Sequence, residues 1–503
     1  MENYSNTPAI ADETTVSGYK LIFGYLGAML FVIGVVLLLP LLILFFYPQD
    51  IKYIHCFIIP SIPCFIIGYF MFRLIKNKQT TSLARNHDAI IVVSSWLLLI
   101  LFSSVPFFLS GEHSFIQSFF ESTSAYTTTG LTVFNASNTP HIFLIFRTIA
   151  LFIGGVGLIL VVSTVLSGYY GMRLYGTEGH SEKLLPNVVK TSRLILSVYS
   201  LYIAMGTLSY MYFGMHWFDA LNHAVAALST GGFSTKTQNI AYFNSIPIEI
   251  ISILLMILGS TGFILHVLLT KWKFKKVLAH CETKFNIFLF LSVIPLFCFS
   301  LCKNFHFSIP HALRISIFNV VSAVTTTGFQ TISSFTILPS SLFLCLIVLM
   351  LVGGNTGSTS GGIKQYRVIL ILKELWWNII DKTSFRKVVR VYVINKYGEK
   401  EAIDQYEKRK VSSFIFLYLF IFLIATFIFT CFGNSISNSM FEVASALSGT
   451  GISSGIISPD APTTILLTTC ACMFLGRLEI YVIILSFIRI IMDIRSRRNL
   501  KNG

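Results

Sequence analysis

From Leu21 to Tyr47 the chain runs 27 residues without an Asp, Glu, Lys or Arg, and the same is true of Tyr53–Phe72, Ala89–Gly111, Thr148–Met172, Leu194–Phe218, Ile250–Thr270 and Phe285–Cys302. A helix needs about 20 apolar residues to cross the hydrocarbon core of a bilayer. Two more windows, Ile315–Ile363 and Val411–Phe441, are too long for one span each, and Ala461–Gly476 continues past Arg477 and Glu479 to Ile488. The first window is not a signal peptide, because Glu2, Asp12 and Glu13 precede it against a lone Lys20 where a signal peptide starts basic. The pattern predicts an all-α membrane protein with ten spans and some apolar material that does not cross. Only 12% of the residues are charged, roughly half the ~25% of a soluble domain, which excludes a string of soluble domains.

The net charge of +15 would suggest nucleic acid if it were spread over a surface. It is confined instead to alternate inter-span segments. Segments 73–88, 173–193, 271–284, 364–410 and 489–501 carry 4, 4, 5, 12 and 5 Lys/Arg, while Lys52, Arg147, Lys236, Lys303 and Arg314 fall on the other side. By the positive-inside rule the basic segments and both termini are cytoplasmic, and no nucleic-acid partner is expected. The nine cysteines lie mostly within or beside apolar windows and form no CxxC pair, so packing rather than disulfide or metal chemistry is expected of them.

Four short segments align without gaps: Phe120–Thr132 (FESTSAYTTTGLT), Asn222–Ser234 (NHAVAALSTGGFS), Phe318–Gln330 (FNVVSAVTTTGFQ) and Phe441–Ser453 (FEVASALSGTGIS). Each runs from an Ala/Ser-rich stretch of helical length into Thr/Ser-Gly, and Pro140, Pro247, Pro339 and Pro462 then introduce the next apolar window. Proline suits a first helical turn. The unit reads as span, half-helix, polar loop, span. Every unit begins and ends on the basic side, so each half-helix and loop must enter from the opposite face and return there. Irregular backbone at membrane depth is tolerated only where protein or a water-filled cavity surrounds it. Four such loops can line one pore, with glycine permitting the backbone turns that aim carbonyls at an axis, carbonyl rings replacing a cation's hydration shell and helix C-termini adding negative potential.

At these residues the chain resembles the Trk/Ktr/HKT superfamily of potassium transporters, and most of all its TrkH/TrkG-like branch. That branch carries an extra helix pair before four repeats, as Leu21–Phe72 would be here. Further matching motifs are GMRLYGTEG from Gly171, GGNTGSTSGGIK from Gly353 to Lys364 and GRLEIY from Gly476. The resemblance implies potassium uptake through a pseudo-tetrameric pore. Its filter carbonyls would come from Thr128, Thr129 and Gly130; Thr230, Gly231 and Gly232; Thr326, Thr327 and Gly328; and Gly449, Thr450 and Gly451. Relatives with Ser at the first filter glycine tend towards sodium, and Gly130 places this chain on the potassium side. The resemblance also implies a homodimer with one pore per chain, and a cytoplasmic TrkA-type ring that binds the regulatory nucleotide (ATP/ADP or NAD), for which segment 364–410 is the expected docking surface. Channel-like and Na⁺- or H⁺-coupled flux both stay open. The expected organisation is an N-terminal pair (1–85) and repeats at 86–175, 176–280, 281–400 and 401–503, in a bacterial cytoplasmic membrane.

As one helix, Pro339–Trp376 would reach roughly 57 Å against a hydrocarbon core near 30 Å, so it must be broken. Its middle, Gly353, Gly354, Asn355, Thr356, Gly357, Ser358, Thr359, Ser360, Gly361 and Gly362, cannot face lipid as a stable helix. Such broken helices face protein or a wet cavity. Gly354 and Arg477 each lie 15 residues after the proline opening their window, which sets them at similar depth. An intramembrane arginine marks a functional site by default. The expected arrangement is a gate formed by 353–362 with Lys364 and by Arg477 as an electrostatic barrier; a clamp on the loop carbonyls is the competing role. Glu121, His223, Asn319 and Glu442 each stand nine residues before the repeat glycine and are expected to brace it, with a proton site as the competing role for His223. Gly154, Gly155 and Gly157 read as close-packing positions. A membrane-embedded enzyme is disfavoured, since the spans lack clustered acids, a nucleophile–base pair or an HExxH motif. An ion-translocating subunit of an ATP-driven pump is the nearer rival.

Overall fold

The computed structural model describes all residues except 1–14, 18, 75–79, 83–85, 159–187, 333–334, 336–337, 384–390 and 503. The GMRLYGTEG motif therefore lies outside the described residues. Helix α1 (Tyr19–Leu38) and α2 (Ile54–Phe72) form an antiparallel pair joined by two 3₁₀ turns. The connector docks the pair onto the rest of the chain: Asp50 Oδ2 accepts the Ile142 amide at 3.0 Å, and the Tyr47 ring stacks on His141 at 3.8 Å.

After α3 (His87–Leu109), the short helix α4 (Phe115–Tyr126) leads to α5 (His141–Val156). The order recurs as α6 (Val188–Tyr212), α7 (Trp217–Leu228), α8 (Ile246–Ser260) with α9 (Phe263–Thr270) and α10 (Phe274–Ala279). It recurs again as α11 (Cys281–Phe305), α12 (Ile309–Val324), α13 (Ser340–Val352) and α14 (Gln365–Thr383), and finally as α15 (Gln405–Cys431), α16 (Ile436–Ser448), α17 (Thr463–Arg477) and α18 (Ile480–Asn502). Helices α4, α7, α12 and α16 are the four half-helices the alignment predicts. Their starts are fixed locally: Ser114 and Gln117 form a capping box on α4, and the Ser435 side chain accepts the Asn438 amide on α16. Their C-terminal halves are buried in the centre of the protein.

Two expectations change. Among the described residues, six helices are long and apolar enough to span alone, and two bent helix pairs are so only when taken together: α8/α9 turns by 110° and α17/α18 by 100°. The sequence predicts a break only in the third repeat, whereas α5 also stops at Gly157 (φ 102°) and α17 stops just after Arg477, where Glu479 takes φ 58°. The chain is also not purely helical. Strands β1 (Thr15–Ser17) and β2 (Thr80–Ser82) pair in parallel, and β3 (Val393–Lys396) pairs with β4 (Glu399–Ala402) in a hairpin. Its turn residues Tyr397 and Gly398 both have positive φ, 52° and 83°, the backbone that matches the twist of two-residue hairpins.

Candidate functional site

The four half-helices end in the same way. Thr128, Thr230 and Thr326 take φ of 54°, 52° and 52°, and Gly449 takes 68°. The next amide in each repeat (Thr129, Gly231, Thr327, Thr450) bonds five residues back, to Ser124, Ala226, Ser322 and Ser445, at 2.8–3.0 Å. This is the Schellman arrangement, which normally uses glycine at the left-handed position. Three repeats place threonine there, so the strained conformation is held by the surroundings rather than by residue choice. Two residues on, Gly130, Gly232, Gly328 and Gly451 again have positive φ, 86°, 63°, 84° and 87°.

These four glycines meet in cyclic order. A Cβ on Gly130 would overlap the Gly231 carbonyl oxygen, one on Gly232 that of Thr327, one on Gly328 that of Thr450, and one on Gly451 that of Thr129. The four glycines and Thr129, Gly231, Thr327 and Thr450 therefore lie side by side in one closed ring. A cavity of about 210 Å³ beside this ring is lined by all four glycines.

The residue nine positions before each glycine holds the segment that follows it. Glu121 accepts the Thr132 hydroxyl at 2.9 Å and the Val133 amide, and His223 Nε2 meets Ser234 Oγ at 2.9 Å. Asn319 donates to Thr331 Oγ1 at 2.9 Å, and Glu442 accepts the Ser453 hydroxyl at 2.6 Å and the Ser454 amide at 2.7 Å. In the first repeat the brace is an ion pair that the sequence did not suggest. Arg147, counted from sequence with the outer-face residues, is 3% exposed and donates to Glu121 at 2.8 Å and to the Ser234 carbonyl of the next repeat. Breaking a buried pair from one side costs about 3–5 kcal/mol. Glu121→Ala or Arg147→Ala is thus expected to destabilise the detergent-solubilised protein by about that much in chemical denaturation. Replacing both by apolar residues should recover most of the loss.

Beneath the ring lies the 353–362 loop. It closes on itself, with the Ile363 amide on Leu351 O at 2.9 Å and Gln365 N on Gly354 O at 3.0 Å. The break in α8/α9 is explained here, because the loop takes up the bonds that the bend frees. Asn355 N donates to Ser260 O, Thr359 Oγ1 to Gly259 O at 2.8 Å, and Phe263 N to Gly357 O at 2.9 Å. The loop touches the ends of three half-helices: Thr359 Oγ1 donates to Leu228 O, Gly361 N to Thr326 Oγ1 at 2.8 Å, and Gly361 packs against the Ser448 carbonyl. Ser358 and Ser360 share a hydrogen bond of 2.7 Å, the Thr356 amide is held by Glu282, and Lys364 donates its ammonium to Ser360 O.

Arg477 closes the circle on the first repeat. It donates to Thr359 O at 2.8 Å and to the Gly154 and Gly155 carbonyls at the end of α5. The packing read for these glycines holds as well, since a Cβ on Gly154 would overlap Tyr126 O and one on Gly155 would come within 2.8 Å of Ser229 Cβ. Arg477 is half-buried beside a cavity of about 50 Å³ lined by Gly361, Gly362 and Lys364, so Arg147 rather than Arg477 is the deeply buried arginine. Glu479 pairs with Arg367 at 2.7 Å, a partner the sequence hid within the basic segment.

The geometry has relatives. Residues 57–495 match the family model described as TrkH, cation transport protein. An uncharacterized cation transporter of Methanocaldococcus jannaschii is 31% identical over 92% of this chain and 94% of its own. The Trk system potassium uptake protein TrkH of Halomonas elongata is 28% identical over 93% of this chain and 98% of its own. The crystal structure of the potassium transporter TrkH from Vibrio parahaemolyticus superposes with a TM-score of 0.78 at 23% identity, covering 93% of this chain and 98% of that one. With a family model matched over most of its length, this chain belongs to the TrkH family of multi-pass membrane cation transporters and is a transport protein rather than an enzyme.

Proposed function

We propose that this protein takes up potassium across the bacterial cytoplasmic membrane through a filter made of the four glycine loops. The observation that carries the reading is the closed ring in which each glycine abuts the carbonyl of the next repeat. Thr128, Thr129 and Gly130, Thr230, Gly231 and Gly232, Thr326, Thr327 and Gly328, and Gly449, Thr450 and Gly451 present backbone oxygens to dehydrated K⁺. The four repeats surround one pore, with α1 and α2 as the added pair and both termini cytoplasmic. Loop 353–362, Lys364 and Arg477 form the gate, supported by the loop's contacts with three half-helix ends and the arginine's bonds to loop and first repeat. The protein works as a homodimer, and a cytoplasmic nucleotide-binding ring of the TrkA type docks on the basic face.

Purified protein in liposomes decides the central point. Uptake of K⁺ is expected to exceed that of Na⁺ by about tenfold or more, corresponding to ~1.4 kcal/mol of discrimination. Equal K⁺ and Na⁺ fluxes would overturn the filter assignment. Imposed sodium or pH gradients in the same preparation separate channel-like from coupled transport.

A further inference from the structure

Glu282 lies in the first turn of α11, among the charges of segment 271–284, and is only 2% exposed. Its carboxylate points at the 353–362 loop. Oε1 accepts the amides of Thr356, inside the loop, and of Tyr366, in the first turn of α14, both at 2.9 Å. One oxygen thus holds residues on either side of the Gly361–Gly362 segment. The other oxygen meets His280 Nε2 at 3.1 Å.

His280 is equally buried, and its Nδ1 accepts the Tyr397 amide at 3.1 Å. An accepting Nδ1 leaves the ring proton on Nε2, where it is donated to Glu282. The imidazole also stacks on the Tyr397 ring with centroids 4.6 Å apart and planes within 6°. Tyr397 and Gly398 are the tip of the β3–β4 hairpin, whose Gly398, Glu399 and Lys400 are exposed on the basic face. A cavity of about 160 Å³ between hairpin and loop is lined by His280, Glu282, Thr356 and Tyr397. The outside of the protein is thereby linked to the loop through two buried side chains and no flexible linker.

We propose that Glu282 is a positioning residue that latches the loop in its closed form, and that His280 and Tyr397 connect this latch to the hairpin, so that moving the hairpin releases the loop. The inference rests on reading 353–362 as the gate. A partner that grips the hairpin from the basic side would reach the pore without touching it.

The test uses full-length protein in liposomes and K⁺ flux, with a loop-shortened variant as reference. Glu282→Ala is expected to raise flux about tenfold, the equivalent of one charge-assisted hydrogen bond. Glu282→Gln keeps an oxygen for both amides and should stay within about twofold of the parent. Tyr397→Ala should raise flux roughly threefold and add nothing once Glu282→Ala is present, the non-additivity expected of one coupled unit. If loop shortening raises flux but Glu282→Ala leaves it equal or lower, the latch is wrong and the gate stands. If loop shortening changes nothing, the gate reading fails and the latch with it. Independent, multiplying effects of the two substitutions overturn the hairpin link. Tyr397→Ala lies on an exposed hairpin and keeps the test open if Glu282→Ala does not fold. In that background Thr356→Cys should react faster with a membrane-impermeant thiol reagent than it does alone, and an unchanged rate overturns the proposal.

Discussion

Gly451→Ala is expected to reduce potassium flux on the order of 100-fold, while Gly449→Thr two residues away leaves it within about threefold of the parent. The contrast follows from where each Cβ would go. At Gly451 a Cβ would overlap the Thr129 carbonyl oxygen at φ 87°, so either that oxygen or the loop must move. A left-handed alanine costs ~1–2 kcal/mol and overpacking another ~1–3 kcal/mol, together about two decades in rate. At Gly449 the nearest atoms to a Cβ are 3.8 Å away, and the three aligned positions already carry threonine at φ 52–54°. The fourth repeat is therefore the relaxed copy of a strained turn, and adding threonine should cost ~1 kcal/mol of stability without disturbing ion contacts. Rubidium uptake in liposomes reads the first effect and thermal melting the second. Equal losses of flux in both variants would mean that the ring geometry does not set conduction.

Arg477→Ala is expected to raise cation flux by more than tenfold. The guanidinium ties Thr359 of the loop to Gly154 and Gly155 at the end of α5, and its charge sits beneath the ring. At an effective dielectric near 20, a unit charge ~8 Å from a permeating cation opposes it by ~2 kcal/mol, a factor of ~30. Arg477→Lys separates the two contributions, since lysine keeps the charge but not the planar fork that reaches two repeats at once. Flux near the parent value identifies the charge as the barrier. Flux matching the alanine variant identifies the hydrogen-bonded clamp. Unchanged flux in both, together with an inert loop deletion, would remove the gate from this region.

The repeat was legible because four segments share one spacing between helix, threonine and glycine, and because the bracing residue recurs nine positions earlier with a polar side chain each time. The break in the third repeat was legible from length and from its Gly/Ser/Thr run. The bends between α8 and α9 and after Arg477 were not, because those stretches are apolar on both sides. The bonds that compensate the first bend come from far away in sequence, as with Thr359 on Gly259, 100 residues apart. The Glu121–Arg147 pair joins two charges 26 residues apart within one inter-span segment, so counting charge by side assigned Arg147 to the outer face. Glu282 was hidden for the opposite reason: in a segment full of charges, one buried carboxylate looks like its neighbours. What placed it was two amides 74 and 84 residues downstream.

The cyclic contact of the glycine loops also governs biosynthesis. Gly130 and Gly451 sit at neighbouring corners of the ring, and Arg477 bonds Gly154 across 323 residues. A ribosome adding about 5–20 residues per second leaves the first loop without its last neighbour for on the order of 20–60 s. During that interval the strained Thr128 turn has nothing on one flank to hold it. Ring closure is consequently a late event that needs the fourth repeat, and a nascent chain stalled before Gly451 lacks the last corner of the ring.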